Sequence, residues 1–388
     1  MSLTPGTRTA GLAVALALAA LPLTAQQSPL ANVVLAGYGS ADYSAGMDDF
    51  QSGFEASVSP VILYRIGDDL LFEAELELEV EGSSTNTALE YAQVDYLGFD
   101  RLLFSFGKFL LPFGVFGERL HPSWVNKLPT MPLMYGHAHG GVASGTLLPV
   151  LADIGALVRY NQPVGGSSLA LSFYVTQGPQ RVDPESLEPD GHTHATTATD
   201  RGGTEASFAV GGEQAAVVAS SPFVIPGIAF GVSFPDNNKN KLLGARLGLV
   251  SGPGLEIYAS GFHSMYDDED FLDLTGGNLS LELRRGVGEL RGEAAILRQE
   301  FNDNGTYRTL STPAYYVQYA HRLGAFEPVV RWSHLMEGEV DSEVVTLERR
   351  ELALGLDYWV APSVPIKVAY GLDPDGEDRL IVQWAFGF

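Results

Sequence analysis

Apolar side chains recur at every second position along much of this 388-residue chain. That is the period of a β-strand with two unlike faces. Phe72, Ala74, Leu76, Leu78 and Val80 alternate with Glu73, Glu75, Glu77, Glu79 and Glu81. Leu352, Leu354, Leu356 and Tyr358 alternate with Glu351, Ala353, Gly355 and Asp357, and Leu279, Leu281 and Leu283 with Ser280, Glu282 and Arg284. The final stretch keeps the pattern: Leu380, Val382, Trp384, Phe386 and Phe388 alternate with Arg379, Ile381, Gln383, Ala385 and Gly387. Read this way, the chain predicts about sixteen segments of roughly ten residues, the length a tilted strand needs to cross a bilayer. They fall at 33–43, 53–65, 70–81, 87–99, 101–109, 152–161, 168–177, 241–250, 254–265, 274–285, 288–300, 313–323, 326–335, 349–360, 364–372 and 379–388. Ala206–Phe234 is apolar enough for one more hairpin, which would make eighteen strands. It contains Pro222 and Pro226, so it is assigned to a loop.

Alternation alone fits a soluble sandwich as well as a membrane barrel; the connections separate them. Short ones (66–69, 100, 162–167, 251–253, 286–287, 324–325, 361–363) take turns with longer ones (44–52, 82–86, 110–151, 178–240, 266–273, 301–312, 336–348, 373–378). Tight periplasmic turns and long extracellular loops characterise an all-β, transmembrane antiparallel barrel. A barrel of this size has room for an aqueous channel. Lys108 shares the outward parity of Leu102, Phe104 and Phe106, so the fifth strand is expected to end or bulge there.

The N-terminus fits export. Arg8 precedes an apolar run from Gly11 to Leu21, then Pro22 and small residues to Ala25. This reads as a signal peptide over 1–25 and a barrel over 26–388. The run is shorter than the ~20 residues of a spanning helix. The ending, with Trp384, Phe386 and Phe388, resembles the C-terminal strand of bacterial outer-membrane proteins. There the terminal Phe marks the segment for the barrel-assembly machinery. Absence of cysteine removes disulfides and thiolate metal sites. A formal charge of −24 argues against nucleic acid as a partner. The expected surroundings are outer-membrane lipid and lipopolysaccharide.

The connection over about 110–151 is unlike a solvated loop. It carries Pro112-Phe113-Gly114, His121-Pro122-Ser123-Trp124-Val125-Asn126-Lys127-Leu128-Pro129 and Pro132, a composition suited to folding inward as a constriction. Together with Gly107-Lys108-Phe109 and the later run Asp236-Asn237-Asn238-Lys239-Asn240-Lys241, it resembles the phosphate-selective porin O and P family. The resemblance implies a sixteen-stranded, commonly trimeric channel narrowed by the loop after the fifth strand. It does not carry phosphate selectivity with it. A ladder of cations would be needed, and the chain has five lysines: Lys108, Lys127, Lys239, Lys241 and Lys367.

The expected function is passive diffusion of small hydrophilic solutes or ions. The candidate constriction comprises Glu73, Glu75, Glu77 and Asp95 as negative wall, Arg101, Arg159 and Arg331 as the opposing field, and Glu118, Arg119, His121 and Lys127 on the loop. Arg65 and Arg101 could alternatively pair with the glutamates. An oxyanion-selective porin, and a blocked barrel with an adhesive or structural role, are the alternatives. No catalytic site, cofactor or resident metal is assigned. His321 and His334 stand at outward parity without a serine constellation for a lipid hydrolase. His137-x-His139, His192-x-His194 and the acidic runs 267–270 and 373–378 read as solvated loops.

Overall fold

The computed structural model describes residues 32–47, 52–81, 84–136, 146–149, 151–182, 223, 225–231, 238–269, 271–346, 348–374 and 378–388. The signal segment over 1–25, both His-x-His pairs, Asp270 and residues 375–377 lie outside them.

Sixteen strands form the wall: β1 (Val33–Gly46), β2 (Ser52–Ile66), β3 (Leu70–Glu81), β4 (Ser84–Phe99), β5 (Leu102–Leu110), β6 (Ala152–Val164), β7 (Ser167–Thr176), β8 (Leu242–Ser251), β9 (Leu255–Met265), β10 (Asp273–Arg285), β11 (Gly288–Asp303), β12 (Thr306–His321), β13 (Phe326–Leu335), β14 (Arg349–Ala361), β15 (Val364–Leu372) and β16 (Arg379–Gly387). Each pairs antiparallel with its neighbour in sequence. The sheet closes because β1 pairs with β16, from Tyr38 opposite Gly387 to Gly46 opposite Arg379. Closure leaves no edge strand with unsatisfied backbone groups. β7 pairs directly with β8, Ser167 opposite Ser251. No hairpin from 206–234 therefore enters the wall, and the eighteen-strand alternative is not what forms.

The outward parity of the strands is apolar and exposed, including Leu78, Phe106, Phe173, Leu247, Leu279, Leu354 and Trp384. A soluble monomer does not leave so continuous an apolar surface in water. As the lipid-facing band of a barrel it costs nothing. No described helix is long and apolar enough to cross a membrane.

Three details differ from the sequence reading. β5 continues past Lys108, and the irregularity falls on β4, whose register to β3 shifts between Glu75 and Leu76. This bulge and Gly107 at φ +126° turn the strand, so that Lys108 Nζ donates to Leu89 O at 2.8 Å. Second, the connection assigned to 301–312 is a tight turn at Asn304-Gly305, both at positive φ. Asn-Gly favours such hairpin turns, so β11 and β12 run on beyond the predicted ends. Third, 336–348 folds into a short hairpin, Gly338–Val340 and Glu343–Thr346. It adds to β12 at the long-loop end through Leu310 opposite Val340.

Candidate functional site

β5 and β6 are direct partners, Leu110 opposite Ala152. The chain between them leaves the wall and returns to it, so residues 111–136 are free to turn into the lumen. Phe113 packs edge-on against Phe262 of β9, centroids 4.9 Å apart. Gly114 stands at φ +73° with Glu293, Tyr135 and Asn278 too close for a Cβ. Its N–H donates to Ser260 Oγ at 3.0 Å. Glu293 of β11 then accepts from Val115 N at 3.1 Å and Phe116 N at 2.7 Å. The same carboxylate accepts from Tyr135 Oη, Asn278 Nδ2, Ser280 Oγ and Tyr316 Oη at 3.0–3.3 Å. A buried carboxylate is tolerated only when saturated in this way.

Phe116–Leu120 forms one π-helical turn with Phe116 and Leu120 buried. That leaves Glu118 and Arg119 to reach the walls. Glu118 accepts from Arg159 of β6 at 2.7 Å and from Arg246 of β8. Burial alone would push its carboxyl up, but the two guanidiniums outweigh this and hold it below the usual carboxylate range. Arg119 bridges Glu256 of β9 at 2.9 Å and Glu282 of β10 at 2.8 Å, over the Tyr258 ring.

The second half of the loop is fixed to β1 and β13–β16. Ser123 Oγ donates to Gly39 O at 3.2 Å, and His121 Nε2 is 3.5 Å from Tyr38 Oη. Trp124 lies against Gly387 of the closing strand, where a Cβ would come within 3.1 Å of the indole. Lys367 Nζ donates to Ser123 O and Asn126 O at 2.5 and 2.6 Å. Lys127 pairs with Glu327 at 3.0 Å. Leu128 is fully buried among Ala320, Val329, Ala353 and Ala369. Arg331 donates to Thr130 O, Thr130 Oγ1 and Met131 O at 2.6–2.9 Å and pairs with Glu351 at 2.9 Å.

These contacts give the lumen two unlike sides. On β11–β15, Glu293, Gln318, Glu327, Arg331, Asp357 and Lys367 are all buried behind the loop. On β3, Glu73, Glu77 and Glu79 remain partly exposed, so water reaches them. Glu75 accepts from Tyr38 Oη at 2.5 Å, and Asp95 from Gln93 Nε2 at 3.0 Å. Among the described residues, Glu73, Glu75, Glu79 and Asp95 form no ion pair. Arg65 and Arg101 do not neutralise them. Arg65 donates to Gly67 O and Asp68 O, and Arg101, exposed in the turn after β4, to Gln162 Oε1 at 3.1 Å.

Arg101 and Arg331 therefore do not oppose the acidic wall: one is in a turn and the other locks the loop. Arg159 faces the lumen and is engaged by Glu118. Sequence reasoning missed Glu293, Arg246, Glu256, Glu282 and Lys367 as loop anchors. Their inward parity was readable; their partners depend on where the loop lands.

A second segment narrows the long-loop end. Gly227–Ala229 pairs with Gln180–Val182. Gln299 Nε2 donates to Pro226 O at 2.7 Å, and Phe230 meets Phe262 edge-on.

No family profile and no curated protein matches the chain. Solved structures do match in fold. Salmonella typhi OmpF in complex with daunomycin superposes with a TM-score of 0.56 at 12% identity, over 92% of this chain and 97% of that one. The trimer form of OmpT, an outer membrane protein of Vibrio cholerae, gives 0.54 at 11%, over 92% and 99%. An anion-selective porin from Comamonas acidovorans gives 0.51 at 13%, over 92% and 99%. The shared architecture is the outer-membrane barrel. Likenesses at 11–13% identity do not confirm the porin O and P resemblance.

The remaining candidates lie apart from the lumen. Among the described residues, no cluster of three or more His, Asp or Glu suits a metal ion. In the acidic run at 267–270, Asp267 Oδ1 instead accepts from Phe271 N and Leu272 N, closing its own turn. His321 meets Tyr319 Oη at 2.9 Å, and His334 meets Glu348 at 3.0 Å and Tyr315 Oη at 3.4 Å. Trp384 and Phe388 are exposed on the outer face, with Phe388 stacked on Phe386.

Proposed function

We propose that the chain is an outer-membrane porin through which small hydrophilic solutes and ions diffuse passively, with a preference for cations. The reading rests on one contrast: the loop buries the lumen face of β11–β15, while Glu73, Glu77 and Glu79 of β3 stay partly exposed. Negative charge in a narrow, low-dielectric passage concentrates cations and repels anions. Glu73, Glu77 and Glu79 supply the field, with Glu75 and Asp95 buried in the same wall. Arg119 and His121 form the loop rim, and Glu118 is held between Arg159 and Arg246. An oxyanion path is disfavoured, because Lys127 and Lys367 are committed to the loop and Lys108 stands outside the lumen-facing parity. Reconstitution into planar bilayers tests the channel itself: stepwise, ohmic conductance is expected. A silent bilayer would leave the blocked, structural barrel as the better reading.

The trimeric form of the Vibrio cholerae neighbour supports a homotrimer here as well, to be checked by the mass of the detergent-solubilised particle. Trp384, Phe386 and Phe388 fit an assembly signal on an outward strand face. Export over 1–25 completes the proposed route.

A further inference from the structure

At the short-turn end, the wall of β10–β13 carries an open cavity of about 250 Å³ lined by Arg284, Gly286, Val287, Gly288, Glu289, Arg322 and Glu327. Its two carboxylates are already committed. Glu327 accepts from Lys127 at 3.0 Å and from Trp359 Nε1 at 2.8 Å. Glu289 pairs with Arg291 and stands 3.9 Å from Lys127. The guanidiniums are not saturated. Arg322 spends its Nε on Gly324 O at 2.8 Å, lies 4.6 Å from the Trp359 ring centre and is 3.7 Å from Glu327. Arg284 spends one nitrogen on Glu282 at 2.7 Å, with Glu289 at 3.7 Å. Their side chains are 48% and 37% exposed, against 15% and 5% for Glu289 and Glu327. The arginines are thus the more solvent-exposed charged groups of the cavity.

We propose that this cavity is a docking subsite for a small organic carboxylate, held by Arg284 and Arg322. A planar fork of N–H donors matches a carboxylate with two parallel hydrogen bonds. The Trp359 ring centre lies 4.6 Å from the Arg322 guanidinium, and Val287 offers an apolar edge for a short carbon stem. The turn glycines leave the approach open: a Cβ on Gly286 would meet nothing within 4 Å. The subsite rests on the channel reading for its purpose, since it lies at the short-turn end of the lumen. Its binding chemistry can be tested separately.

Propionate is the probe. Calorimetry on the detergent-folded protein is expected to show weak saturable binding, roughly 1–100 mM. In bilayers, propionate added from one side is expected to interrupt the current in a concentration-dependent way. R284Q/R322Q should weaken both effects about tenfold or more, while its chloride conductance steps persist. Propionate behaving like chloride, or binding unchanged in the double variant, would overturn the subsite. Inorganic phosphate displacing propionate at lower concentration would overturn the carboxylate assignment. Missing conductance with binding intact would overturn the channel reading and leave the subsite standing.

Discussion

Glu293 accepts six hydrogen bonds because the loop delivers two backbone N–H groups and a tyrosine to a carboxylate already ringed by Asn278, Ser280 and Tyr316. Replacing it with alanine would strand several buried donors, each costing ~1–3 kcal/mol. E293A should thus lose about 3 kcal/mol in urea unfolding and show a wider, noisier conductance. An unchanged unfolding midpoint and unchanged current would remove Glu293 as an anchor. Glu118 predicts a pH effect. Its carboxyl is held below its ordinary range, so its pairing contributes at every pH above that range. The contribution is lost as acid carries the pH down through the lowered value. Protease susceptibility of the loop should therefore stay constant from neutral into mild acid and rise only in strong acid. E118Q should remove the late change. Parity placed Arg331 and Lys367 on the lumen side of the wall. It could not say that a cation facing inward would spend its charge on loop carbonyls, because that follows from the path of the loop.

At the scale of elements, the loop is a fixed insert. Its second half is pinned by Lys367, Arg331 and Lys127, and plugged by Leu128 into the β12–β15 face. L128A is predicted to cost about 2–5 kcal/mol as a buried large-to-small change. It should raise protease susceptibility between Trp124 and Pro132 before the barrel itself melts. Protection equal to wild type would show the plug to be dispensable. The inward fold of this segment was legible from its prolines and aromatics, which a solvated loop has no use for. The tight Asn304-Gly305 turn was written in the sequence too. It was absorbed into a longer loop because the neighbouring alternation is polar on both sides. The bulge opposite Glu75 and Leu76 had only Lys108 as its signal, and that signal lay on the adjacent strand.

At the scale of the whole molecule, a period-two pattern and a turn-and-loop rhythm define a closed wall. The first and last strands meet through nine register pairs. The architecture was legible because barrel closure constrains every strand alike. The selectivity was less so: parity shows inward acids and bases together, whereas the loop path buries the charges of β11–β15 and leaves Glu73, Glu77 and Glu79 partly exposed. The partly exposed glutamates of β3 are proposed to set the sign of the permeant charge. The direct test is the reversal potential in a potassium chloride gradient, for wild type and for the Glu73→Gln/Glu75→Gln/Glu77→Gln variant. Cation preference is expected in the wild type, and its loss in the variant. Anion preference in the wild type, or a potential unmoved by the three substitutions, would contradict it.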